Sequence, residues 1–198
     1  MRPRLPAPLW EQVRRAYSGP GRAYHGVAHL DDVLARYDEV HWEHPLEALV
    51  ALAYHDAVYV PGASDNEERS ASLARAAIER WMPGVDADRV AHEIELTARH
   101  GWIEPCDVST DEARVLDCDM AILGASPDAF DAYERGIAEE YGALPTAMFA
   151  IGRRAFLERL LSRERIYLSD EFQARFDAAA RANLRRSLEL LRRAPPCD

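Results

Sequence analysis

Three short stretches carry side chains suited to holding a cation. Y-H-G-V-A-H-L-D-D-V, from Tyr24 to Val33, places His25 and His29 four residues apart. A-Y-H-D-A-V-Y, from Ala53 to Tyr59, sets His55 beside Asp56 at the end of a strongly apolar segment. L-D-C-D-M, from Leu116 to Met120, offers Asp117 and Asp119. Ionisable groups in an apolar helix are costly unless paired or bound to metal. One divalent cation satisfies His55 and Asp56 together, because imidazole nitrogen and carboxylate oxygen suit Zn, Fe, Mn and similar ions. Adjacent helical residues point about 100° apart, so both can flank one ion. His25 and His29, at i and i+4, lie one above the other on a helical face and offer further ligands. Asp117 and Asp119, at i and i+2, face apart, so only one of them can join.

The elements that must position these groups read as helices almost throughout. A short helix runs from about Pro8 to Tyr17 and stops at S-G-P-G. A second starts near Gly26, with Leu30, Val33, Leu34 and Tyr37 on a buried stripe. Pro45 opens a third that is apolar on nearly every side and therefore central. Asp65 with Glu68 has the spacing of a capping box and starts a helix to about Met82. Another covers about Asp88 to Gly101, and Ser109 with Glu112 opens one that ends near Gly124. Ser126-Pro127 begins a helix to about Tyr141. Two more run from about Thr146 to Arg163 and from Ser169 to Arg193. No alternating strand pattern, repeat or low-complexity linker occurs. The expectation is an all-α fold of eight or nine helices forming one domain over 1–198, with a core of about 22–124 and helices 127–193 packed on it.

Composition bounds the partners. The net charge of −10 disfavours non-specific binding to nucleic acid or an anionic membrane. All 24 basic residues are arginine, which excludes a lysine nucleophile or a P-loop lysine. Cys106, Cys118 and Cys197 are odd in number and widely spaced, so neither a disulfide framework nor a cysteine zinc site is indicated. The opening M-R-P-R-L-P-A-P-L-W-E-Q-V lacks the apolar core of a signal peptide, and no apolar run is long enough to span a bilayer. The expected setting is the cytoplasm, as a monomer or homodimer.

In order, these elements resemble the HD superfamily of metal-dependent phosphohydrolases, and within it a predicted bacterial HD phosphohydrolase group. The resemblance rests on R-A-Y-H-G-V-A-H at Arg22, Y-H-D-A-V-Y at Tyr54, D-N-E-E-R-S-A at Asp65, T-A-R-H at Thr97 and L-D-C-D-M-A-I-L-G at Leu116. R-I-Y at Arg165 and A-R-A-N-L at Ala180 extend it over almost the whole chain. The first stretch also looks like the Y-H-N-x-x-H-A-x-D-V signature of cyclic-nucleotide phosphodiesterases, with Gly26 where that signature has asparagine. The resemblance implies that His29, His55, Asp56 and Asp119 hold a divalent ion (Zn, Mn, Fe, Mg, Co or Ni) and that His25 is the general acid. It also implies hydrolysis of a phosphoester in a nucleotide or another small phosphorylated metabolite. Asp119 is preferred to Asp117 because the family aspartate directly precedes an apolar residue and an I-L-G-like run.

Secondary positions carry weaker readings. Glu67 is a candidate proton acceptor or water-orienting group, while Glu68 fits the capping role. Arg22 is a candidate phosphate ligand, with Arg69 and Arg153 as weaker ones. His100 shares a helical face with Glu93 and Thr97 and could hold a second ion or support the first. His92, His41 and His44 read as surface residues, and Asn183 as a buried hydrogen-bonding group. Two other functions use the same scaffold: a di-iron oxygenase, which needs both His92 and His100 as ligands, and a non-catalytic module stapled by metal.

Overall fold

The computed structural model describes residues 5–193; Cys197 and the extreme termini lie outside the described residues. Among those residues the fold is all-helical, with nine α-helices. They are α1 (Ala7–Tyr17), α2 (Val27–Tyr37), α3 (Pro45–Tyr54), α4 (Asn66–Trp81), α5 (Ala87–Thr97), α6 (Thr110–Met120), α7 (Pro127–Glu140), α8 (Thr146–Ser162) and α9 (Asp170–Arg193). Short 3-10 turns, Pro105–Asp107 and Ala121–Gly124, precede and follow α6. No helix in the described residues is long and apolar enough to cross a membrane.

The apolar α3 is the axis, as its composition requires. Every residue from Ala48 to Tyr54 is buried, and α2, α4, α5 and α6 all pack against it. Its C-terminal end is therefore deep in the molecule, and His55 and Asp56 follow it there. Carbonyls left unpaired at that end need donors. Arg22 supplies them, donating to Asp56 O at 2.8 Å and Ala57 O at 2.9 Å, and also to His25 O at 2.8 Å.

Helix ends follow their caps in most places. Ser109 and Glu112 form the expected capping box, and Ser126 accepts from Ala129 N ahead of Pro127. Asp65 differs: its side chain caps nothing. The next residue, buried Asn66, instead clamps the Val60 backbone through both amide atoms, at 2.9 and 3.0 Å. Ser70 does the same to Val58, so the start of α4 stitches down the loop that follows Asp56. The helix of His100 also ends early, at Thr97, leaving His100 in the turn beyond it.

Three aspartates of α6 divide the work of placing that helix. Buried Asp111 accepts from Glu43 N and His44 N, tying the start of α6 to the start of α3. Asp117 accepts from Leu168 N, Ser169 N and Ser169 Oγ at 2.6–2.8 Å, which docks the start of α9. Burial pushes its carboxyl up to about 6, against the pull of those hydrogen bonds. Asp119 is left to face the site.

Glu93 on α5 is wholly buried, and neither carboxylate oxygen has a hydrogen-bond partner. Burial pushes its pKa up to about 8. The folded protein thus keeps a proton on Glu93 that the unfolded chain releases near pH 4.5. Stability falls as pH rises from that value to about 8, and the loss persists above it. Glu93→Gln removes this loss. Thermal melts should show a Tm higher by at least about 4 °C at pH 8 and little change at pH 5. An equal effect at both pH values would contradict the buried neutral acid.

Candidate metal centre

The ends of α2, α3 and α6 bring four ligand atoms together. His29 Nε2 lies 3.0 Å from His55 Nε2, 3.5 Å from Asp56 Oδ2 and 3.3 Å from Asp119 Oδ1. His55 Nε2 lies 3.1 Å from Asp56 Oδ2 and 3.5 Å from Asp119 Oδ1. All of these atoms fall within 4.8 Å of one another. Ligands about 2.1 Å from a shared ion and 90–109° apart are separated by about 3.0–3.4 Å. The donor set fits a divalent cation on chemistry and on spacing.

The imidazole tautomer fits as well. His55 Nδ1 is 2.8 Å from Leu52 O, a carbonyl that only accepts, so Nδ1 carries a hydrogen and Nε2 is the nitrogen left to face an ion. Tyr17 backs the same ring from 3.4 Å and accepts from Asp56 N. Burial pushes the Tyr17 hydroxyl well above its usual range, so it stays neutral.

Electrostatics bind the group together without metal. Burial opposes charge on His29 and His55, yet the neighbouring carboxylates of Asp56 and Asp119 outweigh it and raise both. Burial likewise opposes charge on Asp56 and Asp119, and the imidazoles hold both well below the ordinary carboxylate range. The metal-free cluster therefore stores protons on its histidines that an arriving cation must displace.

His25 stands outside the set. It precedes α2, in a turn where Gly26 N–H donates to Tyr24 O at 2.7 Å, so the two histidines do not stack on one helical face as their spacing suggested. A Cβ at Gly26 would meet Arg22 O at 3.2 Å, tighter than ordinary contact, which gives a physical reason for glycine there. His25 Nε2 points to Asp56 Oδ2 from 3.9 Å, and its ring stacks on Tyr59 at 4.0 Å.

The group that sets His25 is Glu140, which the sequence did not disclose. Its buried carboxylate accepts from Tyr24 N and His25 N at 2.8 Å and sits 2.6 Å from His25 Nδ1. Burial would raise Glu140, but the His25 ring lowers it more, so it remains ionised. One turn earlier on α7, Gly136 allows this approach: a Cβ there would lie 2.9 Å from Tyr24 Cβ. The sequence signal was a glycine and a glutamate at i and i+4 on an otherwise ordinary amphipathic helix.

Other expected residues sort by position. His100 Nε2 reaches 3.6 Å from Asp119 Oδ2, is buried and has no hydrogen-bond partner, so it faces the far oxygen of a ligand. Glu67 lines the cavity onto which Asp56, Asp119, His25 and His100 open. Arg22 does not: its guanidinium is committed to three carbonyls behind the cluster, which corrects its reading as a phosphate ligand. His92 is on the surface, 3.4 Å from Glu112, so the two-histidine requirement of the di-iron reading is not met. Arg69 pairs with Asp65 on the surface, whereas Arg153 lines the cavity. His44 faces Asp111 rather than the site.

The C-terminal motifs hold the Asp119 end of α6. Asn183 Nδ2 donates to Leu123 O and Ala125 O at 2.9 and 3.0 Å, and Tyr167 donates to Met120 O at 3.3 Å. A cavity of about 440 Å³ opens on Asp56, Asp119, His25 and His100. A smaller one of about 170 Å³ touches His29 and Asp119 from the other side.

No family model, curated protein or solved structure matches the chain.

Titrating the metal-free chain with Zn²⁺ should load one ion, release protons and weaken as pH falls, with the weakening already under way above 6.5, because both histidines are raised above that ordinary imidazole value and hold their protons more tightly. Calorimetry in buffers of different ionisation heat checks both effects. Binding without proton release would contradict the assignment of His29 and His55.

Proposed function

We propose that the protein is an HD-type metal-dependent phosphohydrolase acting on a small phosphoester. The observation that carries this reading is His25. A purely structural metal site has no use for an imidazole that is held by a buried carboxylate and aimed into a cavity beside the ligands. The cavity also leaves the cluster open on one side, as a catalytic site requires. Two imidazole nitrogens favour Mn, Fe, Co, Ni or Zn over Mg.

A bound divalent ion lowers the pKa of water and neutralises phosphate charge. The remaining work falls to side chains. Glu140 accepts the Nδ1 hydrogen of His25, which turns Nε2 toward the substrate. With both nitrogens protonated, Nε2–H delivers its proton to the departing oxygen. Asp56, itself one of the candidate ligands and 3.9 Å from His25, and Glu67, on the cavity wall, are the groups available to take the proton of the attacking water. Tyr59 keeps the His25 ring in plane by stacking, and its hydroxyl stays neutral because burial raises it.

His25→Ala should keep the metal and lose about 10²–10⁴-fold in turnover of the best substrate from a screen of nucleotides and aryl phosphates. Glu140→Gln should keep the metal and lose part of that factor. Asp56→Ala should lose metal affinity by more than the roughly 10–100-fold typical of outer-shell changes. Phosphate release and metal content are measured side by side. Full activity in His25→Ala, or no release from any ester by metal-loaded protein, would sink the proposal.

A further inference from the structure

We propose that the cavity selects a monoanionic phosphodiester bearing an apolar or aromatic group, an inference that rests on the phosphohydrolase reading. The cavity has two unlike ends. One is the ligand cluster. The other is a wall from α7, α8 and the turn between them, formed by Ile137, Tyr141, Leu144, Met148, Phe149 and Phe156. Tyr141 and Phe149 lie with ring centroids 5.8 Å apart along it. At the mouth, Leu144 is 40% exposed and Met148 62% exposed, so apolar surface faces water where a ligand would cover it. About 440 Å³ is enough for a small two-part molecule, with its phosphoryl group at the cluster and its apolar part on this wall.

The charges lining the cavity set the second half of the inference. Among the described residues Arg153 is the one guanidinium on the lining, and it is already neutralised. Its Nε lies 3.3 Å from Glu134 Oε2, its terminal nitrogen meets the other oxygen, and its carbon sits 4.9 Å from the ring centres of both Tyr133 and Phe156. A divalent ion balances Asp56 and Asp119, and Glu140 balances a charged His25. Glu67 remains as a carboxylate on the lining with no cationic partner among the described residues. A phosphomonoester dianion would bring its second charge into this surrounding with no free guanidinium to receive it. A diester carries one charge and replaces the other with a carbon substituent that the α7–α8 wall can bury.

Calorimetry with the Zn²⁺-loaded full chain at pH 8 tests this, using diphenyl phosphate as the monoanion and phenyl phosphate as the dianion. Diphenyl phosphate should bind at least about tenfold tighter. Phe149→Ala should weaken it about tenfold, and Met148→Ser, at an exposed position that folding tolerates, by a smaller factor, both with metal content unchanged. Glu67→Gln should narrow the preference by strengthening phenyl phosphate. Equal or tighter binding of phenyl phosphate, no measurable binding of diphenyl phosphate, or wall variants without effect would overturn the inference. Hydrolysis assays separate it from the reading beneath it. Selective binding with no ester cleaved would overturn the hydrolase and leave the ligand class standing. Faster cleavage of phenyl phosphate than of bis(4-nitrophenyl) phosphate would overturn the ligand class alone.

Discussion

Two imidazole nitrogens 3.0 Å apart, on His29 and His55, repel unless a proton or a cation lies between them. Two part-buried carboxylates repel for the same reason, and here Asp56 and Asp119 complete the group within 4.8 Å. Crossing these four ligands in one place satisfies every member only with positive charge at the centre. Protons on the histidines provide it in the absence of metal, which is why their pKa values rise as those of the aspartates fall. A divalent ion provides it more completely, since all four atoms can then face inward.

That convergence makes demands on the rest of the chain. The end of α3 must lie deep, so α3 is apolar all round and wrapped by four helices. The carbonyls of the turn that follows it need a donor there, and Arg22 reaches Asp56 O and Ala57 O from the loop before α2. The end of α6 must meet the ends of α2 and α3, and Asp111, Asp117 and Asn183 fix it to three other parts of the chain. His25 has to stand near the ligands without joining them. Gly136 lets loop and helix come close enough for Glu140 to hold it, while Gly26 makes room for the Arg22 carbonyl within the loop.

The helical pattern was legible because apolar spacing, prolines and caps agree for most elements. The Ser109–Glu112 box and Ser126-Pro127 mark true starts. Asp65–Glu68 has the same spacing and does not cap, since Asn66 and Ser70 are engaged with the loop after Asp56. The cluster of His29, His55, Asp56 and Asp119, which could hold an ion, was legible because polar groups in apolar helices need a partner. Glu140 was not, because an acid on an amphipathic helix has the pattern of a solvated one until the fold buries it. Arg22 misled for a related reason: a guanidinium that suits phosphate suits a row of carbonyls equally well. His100 was ambiguous by helical geometry, and the early end of α5 at Thr97 turns it toward Asp119.

The account stands on one cation held by His29, His55, Asp56 and Asp119. An anomalous-difference map from crystals grown with Zn²⁺ or Mn²⁺, collected at the metal edge, tests it most directly. The account predicts a peak bounded by His29 Nε2, His55 Nε2 and one oxygen from each aspartate, at about 2.0–2.2 Å, with an open side toward His25 and the cavity. A peak elsewhere, no peak at all, or a saturated ion with no open side would contradict it.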